Sequence, residues 1–570
     1  MGLVAVVAGV VAMTALGCGT GARVASGRAP SPPRTRPEAT AYRETSRYAD
    51  VRSFLDAMTA LPLPLALGSI GKTTEGRDIP YIIASRPRVS TPDEAKRLGR
   101  PVVYVQGNIH GGEVEGKDAL LALVRDLAIS PRPNALDSIV LIAVPIYNAD
   151  GNEKFASQSL NRSDQNGPEL VGVRANAQNL DLNRDYVKAE APETRASLAM
   201  FNAWDPDVFV DLHTTNGSYH GYALTYSPSL NPAAVFGGIY ARDSMLPILR
   251  ERMRTRHRLE VFDYGNFLSD ERAVPESVAR EGWATYDARP RFGTNYYGLR
   301  GRIAILSEAY SHDPLDRRIA STYAFVSEIL SLVGEQASAI KSLSARAANQ
   351  PLAWGRSPDS LQMVAVRSEL AMIPQMLDVI REDIEKRGDS VLHEPGMKRG
   401  HRRTGRFAPV LMPVFTRFAS SMDRIPPAAY VVAPADTGVV RLLRRHGIRV
   451  DRSDSAWSAR GEAFTIDSVV RASRTFQGHR ETRLHGKWER ALQSFPTGSY
   501  IVSTAQPLGT LVVYLLEPES EDGLVTWNQF PNLRKGQKFS VRKVHDMSRR
   551  GRGRLRRSST TARSLPFRNQ

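Results

Sequence analysis

Cysteine is almost missing from this 570-residue chain, in which Cys18 stands alone. No disulfide can close within it and no thiolate cage can form, so any bound metal must rest on histidine and carboxylate. The His-Glu-x-x-His pair that many zinc hydrolases carry on one helix is absent too. Long apolar runs are scarce. The one near the start, residues 3–17, is short for a membrane span and sits where a signal peptide sits. Acid is in deficit, with 59 Asp and Glu against 76 Lys and Arg and a formal charge of +17. Most of that excess is local: residues 534–570 hold 13 Lys or Arg and one acid, Asp546, which accounts for +12. A charge run without apolar period is usually solvated, so this tail reads as disordered and nucleic acid is not an expected partner.

What is present is an ordinary globular balance, 42% hydrophobic and 24% charged, over a length that suggests two or three folded units. The apolar start reads as a signal peptide. Alternatively Gly17-Cys18 is a lipoprotein cleavage site, with Cys18 lipidated and the protein attached to a membrane. Either form implies export to a periplasmic, extracellular or lipid-anchored place. The Ala/Pro/Ser/Arg stretch that follows reads as a tether. The expected division is residues 1–18 signal, 19–40 flexible linker, 41–345 main α/β domain, 346–406 helical connector and basic linker, 407–533 smaller β-containing domain, and 534–570 tail.

Within residues 41–345 apolar strands alternate with helical stretches. Val51, Phe54, Leu55 and Met58 recur at helical spacing, and residues 67–71 and 79–84 read as a strand pair. Buried strands are expected at 101–107, 138–144, 207–211 and 302–306, with helices near 120–127, 232–255 and 316–345. Such alternation predicts a sheet covered on both faces. Gly71-Lys72-Thr73 invites a phosphate-loop reading, but Ala66 stands where that loop needs glycine. Further on, 363–386 reads as polar helix, and 409–412, 429–433, 499–503 and 511–516 as short strands. His446, His479 and His485 lie among arginines and are expected to face solvent.

The chemistry sits at strand ends, where open α/β sheets bind ligands. Residues 101–107 run into Gly107-Asn-Ile-His110-Gly-Gly-Glu113, and His and Glu three apart can meet one metal. Glycines 111 and 112 are read as letting the backbone turn sharply and leaving room for substrate. The strand at 207–211 ends in His213, and that at 302–306 runs into Glu308. Two nitrogens and a carboxylate leave one metal position open for water, the catalytic pattern of zinc. A fourth cluster, Asp181-Leu-Asn183-Arg184-Asp185, lies between strands.

Taken in order, these segments resemble the M14 zinc carboxypeptidases over residues 41–345. Gly107–Gly116 is similar to that family's metal motif, Pro145–Gly151 to its strand-to-loop segment, and Arg174–Arg184 to a stretch of its regulatory branch. The resemblance implies a central mixed sheet of eight strands between helices. It implies one Zn²⁺ held by His110, Glu113 and His213, with Glu308 as general base and acid. Arg174 would polarise the scissile carbonyl, with Arg162 a weaker candidate. Asn183 and Arg184 would grip the free C-terminal carboxylate of a peptide or protein substrate, a task suited to the arginine fork. Asp181 would orient the first histidine. The chain departs from the digestive members at Gly112, where they carry arginine. Two residues are candidates for the family's mobile tyrosine: Tyr286, at a suitable spacing before Glu308, and Tyr297, nearer the strand. Two other readings remain: a zinc amidohydrolase acting on acyl-amino acids or cell-wall peptides, which Asp211-Leu-His213 also resembles, and a non-catalytic binding protein.

Overall fold

A segment that is apolar at every position cannot present one face to water. It belongs inside a sheet covered on both sides. Val102–Val105 is such a segment, and the strand it opens, Val102–Gly107, is buried along its whole length. The computed structural model describes residues 31–215, 217–270, 281–354, 362–386 and 401–547. Cys18, the apolar run at 3–17 and the Arg-rich end from 548 lie outside them. Among the described residues no helix is long and apolar enough to cross a membrane.

The main sheet has eight strands: β1 Leu65–Lys72, β2 Asp78–Ala84, β3 Val102–Gly107, β4 Val140–Val144, β5 Val208–Thr214, β6 Leu224–Pro228, β7 Val261–Asp263 and β8 Ile303–Ala309. Their order is β1-β2-β4-β3-β5-β8-β6-β7. The four central strands, β4, β3, β5 and β8, run parallel, and antiparallel pairings join β2 and β6 to either side of them. Side chains of successive residues go to opposite faces. Val103 and Val105 therefore join the core under helices Glu115–Ile129 and Leu315–Glu335. Tyr104 and Phe209 join the core under Pro192–Trp204 and Gly293–Leu299. This is the mixed eight-stranded α/β fold that the motifs implied.

The C-terminal part carries a second, six-stranded sheet in the order Asp451–Arg452, Tyr500–Ser503, Ala429–Val432, Lys538–Val544, Trp457–Arg471, Thr482–Phe495. Its apolar residues share one cluster with those on the outer face of the main sheet, from Tyr104 and Tyr296 to Val432 and Trp527.

Several expectations need correction. Leu511–Leu516 is not a strand but most of helix Gly509–Leu516. It is buried on every side, so it shows no amphipathic period to separate helix from strand. Residues 364–371 and 377–386 are strands, not polar helix, and 377–386 pairs with His401–Met412 in place of a basic linker. The β-branched residues Val364, Val366, Val379, Ile380 and Ile384 there suit a half-exposed ladder. Of the expected disordered tail, Lys538–Val544 is an interior strand of the second sheet, whose Phe539, Val541 and Val544 are buried. Of the expected tether, Arg36–Ala39 is a capped helical turn, and its Glu38 pairs with Arg125 at 2.6 Å and 2.8 Å.

Candidate metal centre

Register places the site. β5 and β8 pair so that Glu308 lies beside His213, while β3 ends at Gly107 opposite Leu212. The chain leaving β3 turns through Asn108, whose φ of 62° is left-handed, and delivers His110 and Glu113. Asn108 holds that turn through its side-chain amide, which donates to the carbonyls of His110, Gly111 and Glu113. Glycines 111 and 112 are required for closeness, not for a sharp bend or for substrate space. A Cβ on Gly111 would lie 2.3 Å from the Gly151 carbonyl carbon, and one on Gly112 would lie 2.7 Å from Arg162 Cγ.

Three ligand atoms converge. His110 Nδ1 is 2.9 Å from Glu113 Oε1, His213 Nδ1 is 3.0 Å from Glu113 Oε2, and the two Nδ1 atoms are 3.3 Å apart. All three residues are buried. The opposite ring nitrogens decide the tautomers. His110 Nε2 is 3.1 Å from Asp181 Oδ1, and His213 Nε2 is 2.9 Å from Asp211 Oδ2. An ionised carboxylate only accepts, so each Nε2 carries a proton and, where the ring is neutral, its Nδ1 presents a lone pair. With both rings neutral, two bare nitrogens and a carboxylate would face one another, an arrangement that a cation relieves. The donor set, two imidazoles and a carboxylate without thiolate, fits Zn²⁺ with one position open.

The surrounding charges follow the same logic. Burial opposes the charge of Glu113, yet His110 and Arg162 hold its carboxyl well below the usual range. Burial likewise opposes protonation of His213, but Asp211 and Glu113 hold its imidazole well above the ordinary value in the metal-free protein. Glu308 differs: burial pushes its carboxyl up to about 8, with His213 opposing and Glu113 adding to the rise. Glu308 Oε2 has no hydrogen-bond partner.

A cavity of about 460 Å³ opens on these groups. Its walls bring together His110, Glu113, His213, Glu308, Arg174, Asn183, Arg184 and Tyr286, eight of the ten expected site residues. Asp181 lies just behind them, accepting from Arg174 Nε at 2.9 Å and from the Asn183 amide at 2.9 Å. Arg184 lies with its guanidinium 4.0 Å from the Phe292 ring centroid, and the nearest carboxylate, Asp181, is 3.9 Å away. Its charge is therefore poorly satisfied within the protein. Tyr297 is not brought there. It is fully buried, stacked on Phe201 at 3.9 Å, with its hydroxyl 3.3 Å from Ser197.

Sequence reasoning missed Asp211, although its place two residues before His213 on one strand puts both on the same face. It also missed Tyr264, Phe292, Thr294 and Leu306, which complete the wall. Arg162 fills the space that Gly112 leaves, and its Nη1 donates to Glu113 Oε1 at 2.9 Å. The expected solvent-facing His446 is instead fully buried, with Nδ1 at 2.8 Å from the Tyr296 hydroxyl and Nε2 at 3.0 Å from the Val187 carbonyl. His479 is half-buried, and His485 is exposed.

Comparison with known proteins bears on this geometry. Residues 51–234 match the sequence model of the M14 peptidase family, described as zinc carboxypeptidase. Carboxypeptidase 2 of Trichophyton tonsurans is 23% identical over 491 residues, covering 83% of this chain and 81% of its own. Carboxypeptidase Z of Mus musculus is 36% identical over 125 residues, 21% of this chain and 17% of its own. A metallo-carboxypeptidase from Burkholderia cenocepacia superposes with a TM-score of 0.37 at 19% identity, covering 51% of this chain and 70% of that one. The matched segment carries His110, Glu113, Asp181, Asn183, Arg184 and His213, and over residues 51–234 the chain is thus similar to the M14 zinc carboxypeptidases.

Proposed function

We propose that this metallocarboxypeptidase removes the C-terminal residue of peptides, using the His110–Glu113–His213 centre and Glu308. The observation that carries the reading is the convergence of three lone-pair donors beside a buried carboxyl whose one oxygen lacks a partner. His110, Glu113 and His213 would hold Zn²⁺, which would supply Lewis acidity and make the attacking water more acidic. His110 and His213 hold their Nδ1 atoms toward that position because Asp181 and Asp211 fix the far side of each ring. Glu308 takes the proton of the attacking water and hands it to the departing amine, a role that a carboxyl lifted by burial suits. Arg174 lies at the cavity with Nη1 3.4 Å from Glu113, placed to stabilise charge developing on the carbonyl oxygen. Arg184 and Asn183 take the free carboxylate of the substrate. Arg184 is half-buried, donates to the Asn183 carbonyl at 2.8 Å and lies 3.9 Å from Asp181, so a bound carboxylate would complete its pairing.

The side-chain pocket is aromatic and apolar, lined by Tyr264, Tyr286, Phe292 and Leu306. Glu113 and Glu308 are the only carboxylates in its lining among the described residues. That favours aromatic or aliphatic C-terminal residues over lysine and arginine. We also infer that the chain is exported, its apolar residues 3–17 being removed as a signal; the mass of the mature N-terminus checks this.

The decisive experiment measures metal content and hydrolysis for wild type and Glu308→Gln on peptides and on N-acyl amino acids. One bound zinc, with peptide cleavage abolished in the variant, supports the reading. Cleavage of N-acyl amino acids alone replaces it with the deacylase. Zinc-loaded wild type that cleaves neither removes the catalytic reading.

A further inference from the structure

The C-terminal sheet reaches the site described above. Strands Trp457–Arg471 and Thr482–Phe495 pair antiparallel along their length and continue into a narrow tip. There Phe476 and His479 exchange both backbone hydrogen bonds, at 2.8 Å and 3.0 Å, around Gln477 and Gly478. Both central residues have left-handed φ, 48° and 81°. This is a two-residue hairpin turn of the kind that favours Asn-Gly, because Asn tolerates that conformation and longer side chains less so. Glutamine in the first place carries local strain. An observed outlier of this sort calls for a reason in the side chain.

The side chain supplies one. Gln477 Oε1 accepts from the backbone N–H of Asp181 at 2.9 Å. Asp181 opens the short turn Leu182–Arg184, which carries Asn183 and Arg184, and its carboxylate holds His110 and Arg174. Two residues beyond the tip turn, Glu481, just before the same hairpin's second strand, holds the opposite wall, together with Asp522 of the loop that follows helix Gly509–Leu516. Glu481 accepts from Arg291 Nη1 at 2.6 Å, while Asp522 takes the Arg291 backbone N–H at 2.7 Å and its Nε at 3.0 Å. Arg291 leads into Phe292, against which Arg184 lies, and Gly293, whose N–H donates to Asn183 Oδ1 at 2.8 Å. Both residues of the carboxylate grip are therefore fixed between two segments that the C-terminal sheet anchors.

We propose that Gln477 is a positioning residue for the carboxylate grip, so that the C-terminal sheet is a working part of substrate recognition and not an appendage. The inference rests on reading Asn183 and Arg184 as that grip. Gln477 touches no reacting atom. It acts by holding the Asp181–Arg184 turn in register, and its loss frees that turn and loosens the fit to a terminal carboxylate.

Three variants of the full zinc-loaded chain test this. Gln477→Ala removes the acceptor. Gln477→Asn suits the left-handed turn better but is one carbon shorter, so it separates turn strain from the lost bond. Gln477→Glu keeps the acceptor. The first readout is the calorimetric Kd of N-acetyl-phenylalanine against its uncharged amide, which needs no turnover. The second is amide hydrogen exchange over residues 181–185. With this part-buried hydrogen bond gone, the acid's Kd is expected to rise about tenfold in the Ala and Asn variants and the amide's about twofold or less. Exchange over 181–185 quickens in both, while Gln477→Glu stays near wild type. An unchanged Kd, or equal weakening of acid and amide, overturns the proposal. Faster exchange with an unchanged Kd also overturns it, since the turn would then move without consequence for the ligand. If wild type itself does not distinguish acid from amide, the grip reading has failed, and that result is separate from any effect of Gln477.

Discussion

Replacing Asp211 by asparagine tests the metal centre at the residue that the motifs did not single out. Asp211 is fully buried at the centre of the sheet. One oxygen, Oδ1, accepts from Gln106 Nε2 at 3.0 Å, and the other faces His213 Nε2 at 2.9 Å. In Asp211→Asn, the bond from Gln106 selects the amide oxygen for the Oδ1 side and leaves the NH₂ group against His213. A donor there cannot receive the Nε2 proton. The imidazole is driven to carry its proton on Nδ1, the atom that faces Glu113 and His110, and so loses the lone pair it offers a metal. Loss of such an orienting partner typically costs 10- to 100-fold in metal affinity, about 1.4 to 2.8 kcal/mol. This case belongs at the upper end because the tautomer reverses as well as loosening. The assay is competition for zinc against a chromogenic chelator at fixed pH, with the circular dichroism of the metal-free variant as a check on folding. A folded variant that binds zinc within about threefold of wild type would refute the tautomer argument, threefold being well below the range expected for an orienting carboxylate.

Three further outcomes follow from the same geometry. Glu308→Gln is expected to retain zinc while kcat falls by about 10²- to 10⁴-fold, the usual worth of a general base, read from initial rates on a C-terminal phenylalanine peptide. The metal-free protein should lose stability as pH rises from about 4.5 to about 8, because the folded state keeps a proton on Glu308 that the unfolded chain has already released. Melting temperatures across that range should show a smaller decline in Glu308→Gln than in wild type, and equal declines would contradict the assignment. Peptides ending in phenylalanine or leucine should be cleaved with kcat/KM at least about tenfold above those ending in lysine or arginine, since an unpaired buried ammonium is costly in the Tyr264–Tyr286–Phe292–Leu306 pocket.

The legible part of this molecule is the part where chemistry follows directly on a buried strand. Val102–Gly107, Val208–Thr214 and Ile303–Ala309 each begin with an apolar run, and each leads to a proposed ligand or the proposed base at its carboxyl end. Such runs are read without knowledge of their neighbours. What failed needed those neighbours. Leu511–Leu516 is as apolar as any strand and became a helix because burial on all sides erases the period. Tyr297 lies close in sequence to the strand that carries Glu308, but Phe201 and Phe209 claim its ring. His446 lies among arginines in the chain and among Tyr296 and Val187 in space. Gln477 is about 300 positions from Asp181 along the chain, and no local pattern links two such residues.

The two histidine–carboxylate pairs and the raised carboxyl of Glu308 have one common cause. Packing His110, Glu113, Asp181, Asp211, His213 and Glu308 into a buried rim places more acceptors than donors in a low-dielectric space. A protein interior tolerates that only when opposite charge is close. Arg162 and Arg174 supply part of it, at 2.9 Å and 3.4 Å from Glu113. The rest remains unmet: Glu308 responds by holding a proton and His213 by taking one. Both responses occupy atoms that the proposed hydrolysis needs free, the base oxygen in one case and the ligating nitrogen in the other. A divalent cation held by His110, Glu113 and His213 would remove the need for either proton. The features that make the rim electrostatically unfavourable are thus the ones that suit it to a metal ion, and they agree with the roles proposed for Glu308 and the two histidines.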